Sequence, residues 1–130
     1  MVLGIGIDII EIDRIKKSVD KFGDLFINKI FTETEKEYCL GKKNKYQHLA
    51  ARFAAKEAIA KALATGWSKG FRWKDIEIYN EKSGLPRVNL LGNLKDFVNK
   101  DKSLQITMSH SQNYVTCFAI LYSNSTNSTI

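Results

Sequence analysis

The amino-acid sequence predicts an α+β fold: a mostly antiparallel sheet packed with one long Ala-rich helix and several shorter helices. Three observations predict it. The segment "QHLAARFAAKEAIAKALATG" has high helix propensity almost throughout. Shorter segments rich in β-branched and aromatic residues, bounded by turn residues, read as strands. Helices and antiparallel-looking strands are mixed along the chain, with no internal repeat and no long linker.

The elements follow in order. "VLGIGIDI" reads as a buried strand, with Gly4 and Gly6 allowing close approach to its backbone. In "IDRIKKSVDKFGDLFINKIF", Ile12, Ile15, Val19, Phe22, Phe26 and Ile30 keep helical spacing, and Arg14, Lys17 and Lys21 occupy the opposite face. Gly23 is a point where this helix bends or breaks. Thr32 stands three residues before Glu35, a capping-box signal for a short helix ending near Gly41. The Ala-rich helix runs to Gly66, a glycine stop. "FRWKDIEIYNEKSGLPRVNLLG" gives two strands, with Ile76 and Ile78 alternating on one and Val88 and Leu90 on the other. "NLKDFVNK" suggests a short helix. "LQITMSHSQNYVTCFAILYS" reads as a last hairpin with "SHSQN" as its turn.

The length of 130 residues suits one domain, and 44% hydrophobic residues is enough for a core and too many for a disordered chain. No apolar run approaches the about 18 residues of a membrane span. The N-terminus lacks the layout of a secretory signal. The two cysteines, Cys39 and Cys117, have no metal or redox spacing and read as reduced, buried thiols of a cytoplasmic protein. Residues 123–130 read as a polar tail. The net charge of +6 favours an acidic partner without choosing among nucleic acid, anionic lipid, an acidic protein or a polyphosphate.

Asp8 poses the chemical question. A carboxylate near the end of an apolar strand needs a partner, because an unpaired buried ion is costly. Glu57 and Lys61, four apart on the Ala-rich helix, share a face. Two readings are open at this point: an i,i+4 ion pair on a solvated face, or a magnesium site joining Glu57 to Asp8, with Lys61 facing substrate phosphates. Magnesium is commonly held by one or two carboxylates, waters and phosphate oxygens. His48 and His110 are the only histidines, and their placement rules out a zinc pattern. His110 falls in the predicted turn, where a hydrogen-bonded surface group and a ligand contact are both open readings. "GIGIDI" does not match the dinucleotide fingerprint, and neither a P-loop nor a GxSxG nucleophile site is present.

Four segments, "GIGIDIIEIDRI", "RFAAKEAIAKAL", "SGLPRVNL" and "TMSHSQNYVTCFAI", taken in their order and spacing, resemble the holo-acyl-carrier-protein synthases, the small phosphopantetheinyl transferases. The resemblance covers nearly the whole chain, residues 1–122 as one domain, leaving out the tail. It implies the 4′-phosphopantetheinyl transferase-like fold, and transfer of the 4′-phosphopantetheine arm of coenzyme A to a serine of apo-acyl carrier protein, in support of fatty acid biosynthesis. It implies Mg2+ held by Asp8 and Glu57, with Lys61 as the active-site lysine, and a homotrimer with interfacial active sites. By the same match Arg52, Lys61 and His110 are contacts to coenzyme A, with Gly84 and Pro86 in the adenine-binding wall. The resemblance also implies that Arg14 contacts the acidic carrier protein, and charge and helical spacing add Lys17 and Lys21 as expected contacts.

Serine attack on a pyrophosphate diester needs charge stabilisation, in-line positioning and removal of the serine proton. The general base stays open. Three rivals stand beside this reading. A nucleic-acid-binding module explains the charge but lacks a recognised signature. A non-catalytic partner of carrier proteins sits poorly with intact Asp8, Glu57 and Lys61. A transferase acting on another carrier domain, such as one in a polyketide synthase, would differ only in surface detail. The expected partners are therefore coenzyme A and acyl carrier protein, without nucleic acid or membrane.

Overall fold

The computed structural model describes residues 1–64, 66, 70–99 and 101–124. Its elements are β1 (Val2–Glu11), α1 (Ile12–Phe22), α2 (Asp24–Ile30), α3 (Glu33–Leu40), α4 (Lys45–Leu63), β2 (Ile76–Asn80), β3 (Pro86–Leu90), β4 (Lys102–His110) and β5 (Tyr114–Ser123). Single 3-10 turns lie at Trp73–Asp75 and Gly92–Leu94. β1, β5 and β4 form one antiparallel sheet in that order, and β2 and β3 pair as an antiparallel hairpin. The predicted α+β class, with the long helix packed on antiparallel sheet, is the class observed. No helix among the described residues is long and apolar enough to cross a membrane.

The core lies where α4 crosses β1 and β5. Leu49, Ala50, Ala54, Ala58, Ile59, Ala62 and Leu63 of α4 are buried with Val115, Cys117, Ala119 and Leu121 of β5. Small residues let the layers meet closely. A Cβ at Gly6 would fall 1.9 Å from the Ala58 carbonyl oxygen and 2.9 Å from the Ala62 nitrogen. Gly6 is therefore required by contact with α4, and Asp8, two residues on, shares its face of β1.

The local signals act as expected in several places. Gly23, at φ 57°, separates α1 from α2. Thr32 and Glu35 form both halves of the capping box that starts α3. Both cysteines are free and buried, and burial pushes the thiols up to about 11 at Cys39 and about 12 at Cys117.

Other expectations need correction. β1 is not buried on both faces: Gly4, Gly6 and Ile10 face the core, but Ile5, Ile7 and Ile9 are about two-thirds exposed (60%, 61% and 66%). The period of two places these isoleucines on the side away from α4. Phe22 is half exposed, because the turn at Gly23 ends the helical phase that would carry it inward. α4 ends at Leu63, short of Gly66. "NLKDFVNK" makes a 3-10 turn in place of a helix. Leu91 N donates to the Asp75 carbonyl at 2.7 Å, and buried Leu94 anchors the segment, which leaves little freedom for an α-helical path. The last hairpin turns at residues 111–113, so His110 is the final residue of β4, paired with Val115. β5 takes in Ser123, one residue into the expected tail, and residues 125–130 of that tail lie outside the described residues.

Candidate active site

Two clusters of sequence-predicted residues form, both built on α4. The first joins β1 to α4. Asp8 stands opposite Cys117 in the β1–β5 ladder, and the Thr116 hydroxyl donates to the Asp8 carbonyl at 2.8 Å. The Lys61 ammonium lies 3.5 Å from the Asp8 carboxylate and donates to the Ile7 carbonyl at 2.8 Å. Lys61 thus turns to β1 and makes no ion pair with Glu57 within 4.0 Å among the described residues, against the simple i,i+4 reading. Glu57 completes the cluster electrostatically. Burial pushes its carboxyl above the usual range, the Asp8 charge adds to the rise, and Lys61 opposes it.

These residues suit a hard divalent cation. Glu57, desolvated and close enough to Asp8 for that charge to disfavour its ionisation, makes with Asp8 a local excess of negative charge that a cation would relieve. Asp8 and Glu57 would be the oxygen donors to such an ion, and hard oxygen donors of this kind suit magnesium.

The second cluster lines a cleft of about 360 Å³ between α3, α4, the β2–β3 turn and β4. Arg52, Gly84, Pro86 and His110, predicted from separate parts of the chain, all meet there. Arg52 is only 2% exposed. Its Nη2 donates to Asn80 Oδ1, and its guanidinium lies 4.2 Å from the centre of the Tyr38 ring. Its Nε has no acceptor, and no carboxylate pairs with Arg52 among the described residues. A buried cation with only neutral partners is an incomplete site for an anion. Asn80 also donates to the Gly84 carbonyl at 2.9 Å, fastening the "SGLP" turn to the Arg52 side chain. Gly84, at φ 92°, holds a conformation that suits glycine.

Tyr38, His48 and Asn80 belong to this cleft and sequence reasoning did not assign them. The available signal was the i,i+4 spacing of His48 and Arg52 on α4. Arg14, Lys17 and Lys21 are all exposed on α1, with Lys17 3.1 Å from Asp13 and Lys21 over the Phe22 ring.

Comparison with known proteins identifies the family of the chain. Residues 4–119 match the family described as the 4′-phosphopantetheinyl transferase superfamily. The chain is 48% identical over 120 residues to a holo-[acyl-carrier-protein] synthase of Protochlamydia amoebophila, covering 92% of this chain and 98% of that protein. It is 51% identical over 117 residues to the synthase of Chlamydia trachomatis serovar L2, covering 90% and 97%. Among solved structures, the Bacillus anthracis synthase in complex with coenzyme A (3′,5′-ADP) superposes with a TM-score of 0.77 at 35% identity, over 96% of this chain and 99% of that one. The Helicobacter pylori synthase in complex with coenzyme A gives 0.78 at 30% identity, over 91% and 99%. With the match spanning almost the whole described fold and both α4 clusters, the chain belongs to the 4′-phosphopantetheinyl transferase superfamily.

Proposed function

We propose that the protein, as one domain over residues 1–122, transfers the 4′-phosphopantetheine arm of coenzyme A to a serine of apo-acyl carrier protein, releasing adenosine 3′,5′-bisphosphate. The observation that carries this reading is the Asp8–Glu57–Lys61 cluster, set on the same helix as the Arg52 cleft in a chain about half identical to named synthases. The serine oxygen forms a bond to the β-phosphorus of coenzyme A as its proton passes to a base or solvent water. The bond from that phosphorus to the bridging oxygen breaks, its electron pair leaving with adenosine 3′,5′-bisphosphate.

Asp8 and Glu57 would hold Mg2+, which when bound supplies charge stabilisation to the pyrophosphate oxygens. β1 and α4 hold these carboxylates more rigidly than loops would. Lys61, 54% exposed, has the reach to place its charge against a phosphate oxygen while its stem stays packed beside β1. Arg52 and His110 would bind anionic parts of coenzyme A, and the Gly84–Pro86 turn would wall its adenine. Arg14, Lys17 and Lys21 would steer the acidic carrier, with exposed Phe22 and Leu25 offering apolar surface beside them.

A homotrimer with active sites between subunits belongs to the same reading. Two features support it: the exposed apolar face of Ile5, Ile7, Ile9 and Phe118, and the placement of the two clusters on different sides of α4. Two free, buried thiols suit a reducing, cytoplasmic setting. The test is an intact mass of apo-acyl carrier protein after incubation with the protein, coenzyme A and magnesium, beside a chelator-treated control. A metal-dependent gain of one phosphopantetheine arm is expected. No gain on any of several apo-carriers, with the protein folded, would remove the assignment.

A further inference from the structure

We infer that His48 is a binding residue for a phosphate group of coenzyme A, acting with Arg52 and His110 across the cleft between α3, α4 and β4. The inference rests on coenzyme A being the substrate, as proposed above. His48 sits one turn before Arg52 on α4 and lines the same cleft, with His110 facing them from the end of β4. The Tyr38 ring meets the His48 imidazole edge-on, with centroids 5.4 Å apart at 82°, and also lies against the Arg52 guanidinium. One aromatic ring from α3 therefore braces both basic side chains.

The charges around His48 all have one sign. Arg52 from its own helix, Lys42 from the α3–α4 connection and His110 from β4 act on it, and Tyr38 is the neutral group from α3. Burial first, then the Arg52 and Lys42 charges with His110 beside them, hold the His48 imidazole below its usual range in the free protein. A phosphate dianion entering the cleft reverses the balance. It pairs with Arg52, whose buried guanidinium has no carboxylate among the described residues, and it favours the imidazolium. Binding then takes up a proton at His48. Affinity rises as pH falls toward the free imidazole's pKa, until the phosphate itself gains its proton at about pH 6.

The experiment is calorimetric titration of coenzyme A into the magnesium-loaded protein across the range from about pH 5.5 to about pH 8.5. It compares wild type, His48→Asn and His110→Asn, in buffers of different ionisation enthalpy so that proton uptake is read directly. His48→Asn is expected to weaken binding about tenfold near the acidic end, as loss of one charge-assisted hydrogen bond would. The ratio should approach one at the alkaline end, and proton uptake should fall by the share His48 contributes. Dephospho-coenzyme A separates the two phosphate sources. Disappearance of the His48 effect identifies the 3′-phosphate, and its persistence identifies the pyrophosphate. Tight binding whose His48→Asn ratio and proton uptake do not change with pH overturns the inference and leaves the substrate assignment standing. Failure of the folded wild type to bind coenzyme A at any pH overturns both.

Discussion

The Lys56 ammonium and the Glu35 carboxylate lie 2.8 Å apart, and neither side chain has any exposure to solvent. One Glu35 oxygen also accepts from Thr32 N, and the other accepts from Ile78 N, both at 2.9 Å. Lys56 donates further to the carbonyls of Trp73 and Ile76. Burial lowers the Lys56 pKa, and the Glu35 charge and hydrogen bond oppose that shift. It fastens α3 and α4 to β2, one turn after Arg52 and next to Glu57, so both site clusters depend on the same anchored helix.

Breaking that pair from one side leaves an uncompensated buried charge. Lys56→Met is expected to cost about 3–5 kcal/mol, read as a lower urea midpoint. The double variant Glu35→Gln with Lys56→Met should cost less than the sum of the single changes, and additive losses would show that the two groups are not coupled.

Gly6→Ala tests the contact of β1 with α4. The added methyl meets backbone atoms, which cannot rotate away. A loss of about 1–3 kcal/mol or more is expected by thermal unfolding, with activity falling further than stability because Asp8 shifts relative to Glu57. A variant as stable and active as wild type would mean that the sheet and helix can separate at no cost.

The raised Glu57 pKa sets a sign for pH and metal. A carboxyl whose folded pKa exceeds its unfolded value favours folding below the unfolded pKa, and that advantage is lost as pH rises through the folded pKa. Above that point the apo protein carries the unrelieved repulsion of Asp8 and Glu57. Magnesium should therefore raise Tm more at neutral pH than under acidic conditions. Glu57→Gln should raise the apo Tm at neutral pH and abolish the magnesium response, measured by differential scanning calorimetry.

Arg14 is exposed at the start of α1, away from the core. Arg14→Ala should raise KM for acyl carrier protein severalfold with little change in KM for coenzyme A, and should flatten the salt dependence of association. Equal effects on both substrates would indicate a folding role.

Ile7 lies on the exposed face of β1, opposite Phe118 on β5. Under the proposed homotrimer, Ile7→Glu should leave the circular dichroism spectrum intact and give a monomer where the wild type sediments as a trimer, with activity lost in parallel. A fully active monomer would contradict an active site shared between subunits.

The break at Gly23, the Thr32–Glu35 cap, the Ala-rich course of α4 and the "SGLP" turn were legible because each is written in a few consecutive residues. The placement of Asp8, Glu57 and Lys61 near one another was legible as an expectation, through four segments that together resemble a family. Other features were not legible, because they depend on what packs opposite. Glu35 reads as a cap in sequence, yet it is also the counter-ion of Lys56, since α4 brings an ammonium against it. Lys61 has Glu57 one turn away and still turns to Asp8 and the Ile7 carbonyl, because β1 lies beside it. The apolar strand reads as buried, and only the side chosen by α4 is. Short-range backbone geometry, capping and periodicity were thus determined by the sequence alone. The choice of ion-pair partner and of buried face came with the tertiary structure, because both follow from the neighbours that close packing brings to each side chain.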